Sequence, residues 1–231
     1  MKEALPAEIA SVLQTRDKLV KLRTTLKNKI NNLLAGRGIL IHRESLSSDK
    51  GLEQVLQVPI SGLERVELEV LVGQIRHLND SIRKLEAAIK KQAPKLPGYQ
   101  NLKNIKGLGD IGSSTLLSTI GDINDFASEG KLAAYFGIVP RVANSNETTR
   151  SGRITKRGNK LARTALVQCA LIATRYSPYL AHFYARIKTA RGTGKAIIAL
   201  ARKFLGIIYR TLKNGWVFED FPRFVIAPAG A

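Results

Sequence analysis

Two serines lie in the most basic segment of the sequence, and a serine among arginines can carry out phosphoryl chemistry. Ser145 and Ser151 fall within residues 141–160. A hydroxyl held among guanidinium groups can attack a phosphodiester, because the positive charges stabilise the pentacoordinate transition state. The alternative is a phosphate-binding loop in which the serines are incidental, and from the residue types alone this alternative is favoured. The basic residues of the segment are Arg141, Arg150, Arg153, Lys156, Arg157 and Lys160.

Other kinds of catalytic or metal site lack the residues that they need. Cys169 is the single cysteine, and His42, His77 and His182 lie far apart, so neither a disulfide framework nor a zinc site is expected. No pair of carboxylates is spaced for two-metal catalysis, and no Ser-His-Asp set is visible. The sequence therefore predicts no metal or cofactor in this chain.

A glycine-rich turn at residues 107–112 is a second candidate site. The sequence GLGDIG has GxGxxG spacing, but no β-branched strand precedes it, which argues against a dinucleotide-binding fold. A helix-hairpin-helix is the better interpretation, because Gly107 and Gly109 permit a tight turn whose amides face a phosphate. Such contacts hold a nucleic-acid backbone without reading its sequence. A helix–helix turn that binds nothing remains the alternative.

Positive charge dominates the chain and is concentrated in its C-terminal half. The 231 residues include 37 Lys and Arg against 18 Asp and Glu, a formal net charge of +19. Residues 141–213 contain sixteen basic residues and one acid, Glu147. Like charges at this density repel one another unless they meet a counter-charge, which favours nucleic acid as the partner over solvated helix faces. No apolar run is long enough to span a bilayer, so a cytoplasmic protein without membrane contact is expected.

Two long helices are predicted in residues 1–96. In residues 62–92 apolar side chains recur three and four residues apart, which is the repeat of a coiled-coil seam. Residues 36–61 are predicted to be a connecting loop with some local helix. The two helices pair either within one chain, as an antiparallel hairpin, or between chains, and the sequence leaves both open. The stripe of the first helix, residues 8–35, is Leu19, Leu22, Leu26, Ile30 and Leu33, and that of the second is Leu68, Leu71, Ile75, Leu78, Ile82, Leu85 and Ile89.

A compact basic helical domain is predicted for residues 97–226, after a proline- and glycine-containing boundary, with a tail at 227–231. Residues 138–155 lack a helical period and are expected to form a loop or a short hairpin. The predicted fold class is therefore mainly α, a helical hairpin followed by this domain. Helix starts are predicted at Asp110, Ser128, Asn159, Ser177-Pro178 and Thr193, and helix ends at Gly121, Gly137, Gly192 and Gly215.

Several motifs in a fixed order resemble the C-terminal transposase domain of the insertion-sequence one-ten family. They are residues 105–109 (IKGLG), 120–123 (IGDI) with Phe126, 132–141 (LAAYFGIVPR) and 152–159 (GRITKRGN). The upstream helices, including residues 23–28 (RTTLKN), resemble the coiled-coil segment of the same family. The resemblance therefore covers nearly the whole chain.

The resemblance implies a bridge-RNA-guided DNA transposase or recombinase with a serine nucleophile. The nucleophile would be Ser145, which follows a Pro-Arg step and stands seven residues before Gly152, with Ser151 as second candidate. The family pairs this domain with an N-terminal RuvC-like domain that carries four acids and any divalent metal. That domain is not seen here, so the chain is expected to be a C-terminal portion. Asn146 and Glu147 follow Ser145, where the family commonly has glycine.

Two functions of different class follow from these observations. In the first, the chain acts in DNA transposition or site-specific recombination, and Ser145 forms a phosphoserine link to one DNA strand. Its implied partners are DNA, a guide RNA, and further copies of the chain or a full-length transposase subunit, on the nucleoid of a bacterium or archaeon. The second is a non-catalytic module for nucleic-acid binding and oligomerisation. In both, the predicted nucleic-acid-binding residues are Gly107, Gly109, Arg141, Arg150, Arg153, Lys156, Arg157 and Lys160.

Overall fold

The fold is mainly α, as predicted. The computed structural model describes residues 4–42, 44–145 and 148–216, with the backbone alone for the described residues from 142 to 151. Within these residues the chain forms nine α-helices and one antiparallel pair of strands. The helices are α1 (Ala4–Ala35), α2 (Asp49–Leu56), α3 (Leu63–Gln92), α4 (Tyr99–Lys103), α5 (Asp110–Ile120), α6 (Glu129–Tyr135), α7 (Lys160–Ala173), α8 (Pro178–Arg191) and α9 (Thr193–Asn214), and the strands are β1 (Pro140–Ser145) and β2 (Thr148–Ile154).

The chain divides into two compact units. One unit is residues 12–88, and the other combines residues 1–11 with residues 89–231. The domain limits predicted from the sequence, 97–226 with a tail at 227–231, stay a prediction. Residues 217–231, and with them that tail, lie outside the described residues.

In the unit of residues 12–88, α1 and α3 pair in antiparallel fashion within one chain. Arg16 donates from Nε to Oε1 of Glu86 at 2.7 Å. Just beyond the end of α1, Arg37 forms an ion pair at 2.7 Å with Glu64 in the first turn of α3. The order of these partners requires opposite helix directions, as in the antiparallel hairpin that was one of the two predicted alternatives. The core of this unit consists of Ile30, Leu34, Leu46, Leu52, Val55, Leu68, Val72 and Ile75.

The buried face of α1 differs from the predicted stripe. Leu22, a predicted stripe residue, is 49% exposed, whereas Leu34 is fully buried. Arg23 instead lies on the inner face, where its Nη1 donates to Oδ1 of Asn79 on α3 at 2.8 Å. Lys27 is only 7% exposed and donates to the hydroxyl of Ser47 at 2.6 Å. Basic side chains therefore occupy part of a face that the sequence pattern predicted to be apolar.

The seam predicted on α3 is largely confirmed as a buried face. Leu68, Ile75 and Ile82 are 3% exposed or less, and Leu78 is 6% exposed. The predicted seam residues Leu71 and Leu85 are half-buried instead. Whether these helices form a coiled coil with interdigitating side chains stays a prediction.

Helix α9 is the centre of the second unit. It contacts α4, α6, α7 and α8, and α7 in turn contacts α5. One face of α9 is apolar and forms part of the core, with Ala201, Leu205 and Ile208 fully buried. None of the helices in the described part of the chain is long and apolar enough to cross a membrane.

Side-chain caps fix the starts of α6, α7 and α8, and all three were predicted. The Ser128 hydroxyl accepts from the amide of Lys131, and Asn159 Oδ1 accepts from two amides of α7. Ser177 caps α8 and is followed by proline at the first helical position, as expected. The interpretation of Asp110 as the residue that precedes α5 needs a correction, because Gly109 is the capping residue and Asp110 is the first helical residue.

Candidate nucleic-acid interface

The strands β1 and β2 form a two-stranded antiparallel hairpin. They lie in residues 138–155, which lack a helical period, and the short hairpin agrees with the prediction. Pro140 pairs with Ile154 at its root, and Ser145 pairs with Thr148 at its far end. The register shifts between Pro140 and Val142, because this step of two residues is matched by a step of three residues from Ser151 to Ile154. Such a bulge increases the local twist of a hairpin.

The two candidate serines lie on opposite strands of this hairpin. Ser145 is the last residue of β1, and Ser151 on β2 pairs with Val142. The side chains of both serines and of Arg150 lie outside what the structure describes, as do Asn146 and Glu147 entirely. The assignment of the nucleophile therefore stays a prediction.

The root of the hairpin is fixed by close contacts between the segment after α6 and the segment before α7. The amide of Lys156 donates to the carbonyl of Gly137 at 3.1 Å, and the amide of Thr155 donates to that of Val139 at 2.9 Å. Arg163 of α7 donates from its guanidinium to the carbonyl of Phe136 at 3.1 Å. These bonds tie the hairpin to the N-terminal end of α7.

Lys156 adopts a backbone conformation that is unusual for a residue with a side chain. Its φ of +55° lies in the left-handed region. A residue with a Cβ atom is disfavoured there by about 1–2 kcal/mol, whereas glycine is not. Lys156 therefore carries backbone strain that a glycine at this position would avoid.

Four exposed cations surround this root, and we call them the hairpin-root cations. They come from the end of β2, the connection to α7 and the first turn of α7. Within the described residues none of them forms an ion pair with an acid, and the positive end of the α7 dipole lies beside them. Such a surface suits phosphate groups. The hairpin-root cations are Arg153, Lys156, Arg157 and Lys160.

Arg141 lies beside this group but is partly engaged by the main chain. Its side chain is exposed, and a guanidinium nitrogen lies 3.5 Å from the carbonyl oxygen of Thr155. This contact holds Arg141 across the hairpin root. The structure therefore brings together Arg141, Arg153, Lys156, Arg157 and Lys160 of the predicted binding residues.

The predicted glycine turn, by contrast, packs against α7. Gly107 has a φ of +108°, and a Cβ atom there would lie 2.8 Å from the amide nitrogen of Ala173. Packing therefore explains this glycine without a ligand. Gly109 is exposed and caps α5, with open space where a Cβ would stand. A phosphate-binding role for Gly107 and Gly109 stays a prediction.

A carboxylate occupies the N-terminal turn of α5 beside this glycine turn. Oδ1 of Asp110 accepts hydrogen bonds from Lys103 at 2.5 Å and from the Tyr99 hydroxyl at 2.6 Å. These two bonds hold the pKa of Asp110 below its usual range. Burial, together with the bond to Asp110, raises the pKa of Tyr99 to about 12. The negative charge of Asp110 opposes a phosphate at this helix end.

Among the described residues, the carboxylates, the imidazoles and the single thiol are scattered rather than clustered. No group of three His, Cys, Asp or Glu side chains able to hold a metal ion occurs among the described residues.

The segment from α4 into α8 contains both the glycine turn and the hairpin. Residues 99–185 match the family model for transposases of the IS116/IS110/IS902 family. Residues 99–185 are a transposase domain of that family. All of the hairpin-root cations, both candidate serines and the glycine turn belong to this transposase domain.

The similarity of this chain to other proteins extends beyond residues 99–185. The chain is 29% identical to the transposase for insertion sequence element IS1111A of Coxiella burnetii, over 89% of this chain and 58% of the relative. It is 27% identical to the transposase for IS1328 of Yersinia enterocolitica, over 91% of this chain and 64% of the relative. A pilin gene-inverting protein of Moraxella lacunata is 30% identical, over 77% of this chain and 55% of the relative. The chain thus spans little more than half the length of most of these relatives.

Proposed function

We propose that the chain binds DNA at the hairpin root and acts in DNA transposition or site-specific recombination. The match of residues 99–185 to the transposase domain carries this proposal. The exposed hairpin-root cations support it, because groups that are not neutralised by acids of the described residues are available to phosphates. By the resemblance, a guide RNA and further transposase subunits are proposed as additional partners.

Ser145 is the proposed nucleophile, and the reaction is a phosphoryl transfer. Its Oγ forms a bond to the phosphorus of one DNA strand while the bond from that phosphorus to a deoxyribose oxygen breaks. The serine proton passes to a general base, which then supplies a proton to the departing deoxyribose oxygen, so that this oxygen leaves as a DNA hydroxyl. The phosphodiester is conserved as a phosphoserine, so a hydroxyl from another strand can reverse the step and join the strands. Neighbouring guanidinium groups would stabilise the charge that develops on the phosphoryl oxygens.

A covalent adduct is the decisive observation for this chemistry. End-labelled DNA is incubated with the full chain under two conditions. In the first the chain is alone. In the second, the part of the Coxiella burnetii relative that this chain does not match is added as a separate polypeptide. The products are separated on a denaturing gel. We expect a protein-linked band that disappears in Ser145→Ala and persists in Ser151→Ala.

Two other outcomes decide between the remaining possibilities. An adduct that persists in Ser145→Ala and disappears in Ser151→Ala would move the nucleophile to Ser151. DNA binding without an adduct under either condition would overturn the serine mechanism. It would favour the non-catalytic binding module instead.

A further inference from the structure

A groove on the second unit lies apart in sequence from the hairpin and was not singled out by any motif. It runs between α8 and α9, with one residue of α6 at its edge, and encloses about 290 Å³, near the lower end of the range for ligand pockets. Its basic residues lie on α9, beyond residue 185 and thus beyond the match to the transposase domain. The lining residues are Glu129, Phe183, Ala199, Arg202, Lys203, Gly206, Ile207 and Arg210.

Three cations and one acid line this groove. Arg210 forms an exposed ion pair with Glu129, at 3.2 Å. Arg202 and Lys203 are exposed, and neither forms an ion pair with an acid of the described chain. The groove therefore has a net positive charge and two cationic groups available to an anion.

Aromatic rings hold one of these cations in position. The ammonium group of Lys203 lies 5.4 Å from the ring centroid of Tyr179 and 5.9 Å from that of Phe183. Both distances are within the range of a cation–π contact. Such contacts orient the ammonium group, and its N–H donors can still reach an anion.

The remaining lining residues are apolar, and the combination suits a sugar–phosphate backbone. Phe183, Ala199 and Ile207 give the groove an apolar surface beside its cations. A DNA strand alternates anionic phosphates with deoxyribose rings that carry much apolar surface. An acidic peptide is also anionic, but most of the groups between its carboxylates are polar amides rather than apolar surface.

We propose that this α8–α9 groove binds the sugar–phosphate backbone of a DNA strand, with phosphates at Arg202 and Lys203. It is a second DNA contact, separate in the chain from the hairpin-root cations. The inference rests on the proposed function, because it requires that the chain bind DNA. Contacts of this kind position DNA without reading its sequence.

Glu129 allows a test in which the sign of the effect is informative. A Cβ atom on Gly206 would lie 2.9 Å from Oε2 of Glu129, so the carboxylate rests against the backbone of α9. In this position it neutralises Arg210 and repels phosphate in the groove. Removing its charge should therefore strengthen DNA binding, whereas removing groove cations should weaken it.

The test uses the full chain and a fluorescein-labelled DNA duplex of arbitrary sequence, with anisotropy measured over a range of salt concentrations. We expect Arg202→Gln with Lys203→Gln to weaken binding and to reduce the log–log salt slope by about 1.8, since each lost phosphate contact removes about 0.9. Glu129→Gln should tighten binding. Circular dichroism and thermal unfolding check that these exposed substitutions leave the fold intact.

Matched controls distinguish an effect of the groove on DNA binding from a general effect of the protein's charge. Lys188→Gln with Arg191→Gln removes the same charge from the last turn of α8, outside the groove lining, and should change the slope much less. Asp125→Asn is the counterpart of Glu129→Gln at an exposed acid elsewhere in the unit. If the groove variants behave like these controls, the inference is overturned.

The outcomes also distinguish the inference from the proposed function. Weak binding by the unmodified chain with a flat salt dependence would overturn both. Steep salt dependence that is lost in hairpin-root variants but unaffected in groove variants would overturn the groove alone. The double variant Arg202→Gln with Lys203→Gln could instead lose binding to a polyglutamate peptide while its DNA binding is unchanged. That result would assign the groove to an acidic protein segment, and the proposal would be wrong.

Discussion

Gly158 lies so close to the main chain of Tyr135 that a Cβ atom at position 158 would stand 2.1 Å from the Tyr135 carbonyl oxygen. Its φ is +98°, a conformation that suits glycine. Gly137 makes the reciprocal approach, since its Cβ would lie 1.9 Å from the carbonyl oxygen of Arg157. Two glycines thus allow the chain before the hairpin to meet the chain after it. The positions of the hairpin-root cations depend on this contact.

Replacing Gly158 by alanine should therefore destabilise the second unit. We expect a loss of at least about 1–3 kcal/mol in the free energy of unfolding from backbone strain, with a further loss from the steric overlap. Urea unfolding followed by circular dichroism measures it. Gly194→Ala is the matched control, because open space surrounds that position and alanine favours a helix by about 0.5–1 kcal/mol. Equal losses in the two variants would contradict the prediction.

Cys169 should be unreactive in the folded protein. Its thiol is buried, and this burial raises its pKa to about 11. A Cβ atom on Gly112 would lie 2.7 Å from its sulfur, which shows how closely α5 covers it. Only the thiolate reacts with iodoacetamide, so at pH 8 alkylation should be slow without urea and complete in urea. Mass spectrometry measures both, and equal rates would show that the thiol is accessible.

The α1–α3 pair shows where prediction from sequence fails. The apolar period located α3 and most of its buried face, because Leu68, Ile75 and Ile82 follow the seam directly. On α1 the inner face includes Arg23 and Lys27, whose long side chains are compatible with burial when the charged group finds a partner. Those partners lie 56 and 20 residues away in the chain. A local hydrophobic pattern contains no information about them.

In the candidate site, too, features set by near neighbours in sequence were predictable, whereas features set by distant segments were not. The caps at Ser128, Asn159 and Ser177 were predictable because each bonds to amides two or three residues away. The packing of Gly107 on Ala173 was not predictable, since it joins segments that are far apart in sequence. The α8–α9 groove likewise requires the tertiary fold, which brings a residue of α6 to α9.

Asp110 should make the stability of the second unit depend on acidic pH. Hydrogen bonds from Lys103 and Tyr99 lower its folded pKa below that of an unfolded aspartate, about 3.9. The resulting stabilisation is complete above that unfolded value and is lost as the pH falls through the folded pKa. At pH 6, Asp110→Asn should lose roughly 1–3 kcal/mol, and the loss should shrink by pH 2.5. Urea unfolding across this range measures it.

Asp125→Asn is the control for this pH dependence, because Asp125 is an exposed acid in the same unit. It should retain the acid-induced loss of stability seen in the unmodified chain. A pH dependence in Asp110→Asn as steep as that of the unmodified chain would show that the Asp110 contacts do not stabilise the fold.

The buried face of α3 can be tested with an aspartate at one of two positions on the same helix. Ile75 is fully buried, whereas Val70 is 58% exposed. Ile75→Asp should cost at least about 2–5 kcal/mol, since it removes a core side chain and buries a carboxylate. Val70→Asp should change stability little. Helical circular dichroism during urea unfolding measures both, and an Ile75→Asp variant as stable as Val70→Asp would exclude the observed pairing of α1 and α3.

The hairpin-root cations should account for a defined part of DNA binding. Replacing Arg153, Lys156 and Arg157 together by glutamine removes three phosphate contacts, which should reduce the log–log salt slope on duplex DNA by about 2.7. Affinity should fall alike for all sequences, because phosphate contacts carry no sequence information. Anisotropy titrations on two unrelated duplexes measure both quantities. A loss confined to one duplex would indicate base contacts instead.

Substitutions of Lys156 can distinguish effects on DNA binding from effects on stability. The strained backbone of this residue lowers the stability of the fold, whereas its ammonium group is expected to strengthen DNA binding. Lys156→Gly relieves the left-handed strain at φ +55°, so the folded state should gain up to about 1–2 kcal/mol before the greater freedom of glycine in the unfolded chain offsets part of it. The same change removes the ammonium group and should weaken DNA binding. Lys156→Gln retains the strain and should weaken binding by a similar factor without the gain in stability. If Lys156→Gly binds DNA as tightly as the unmodified chain, the ammonium group does not contact phosphate, and the strained conformation has another cause.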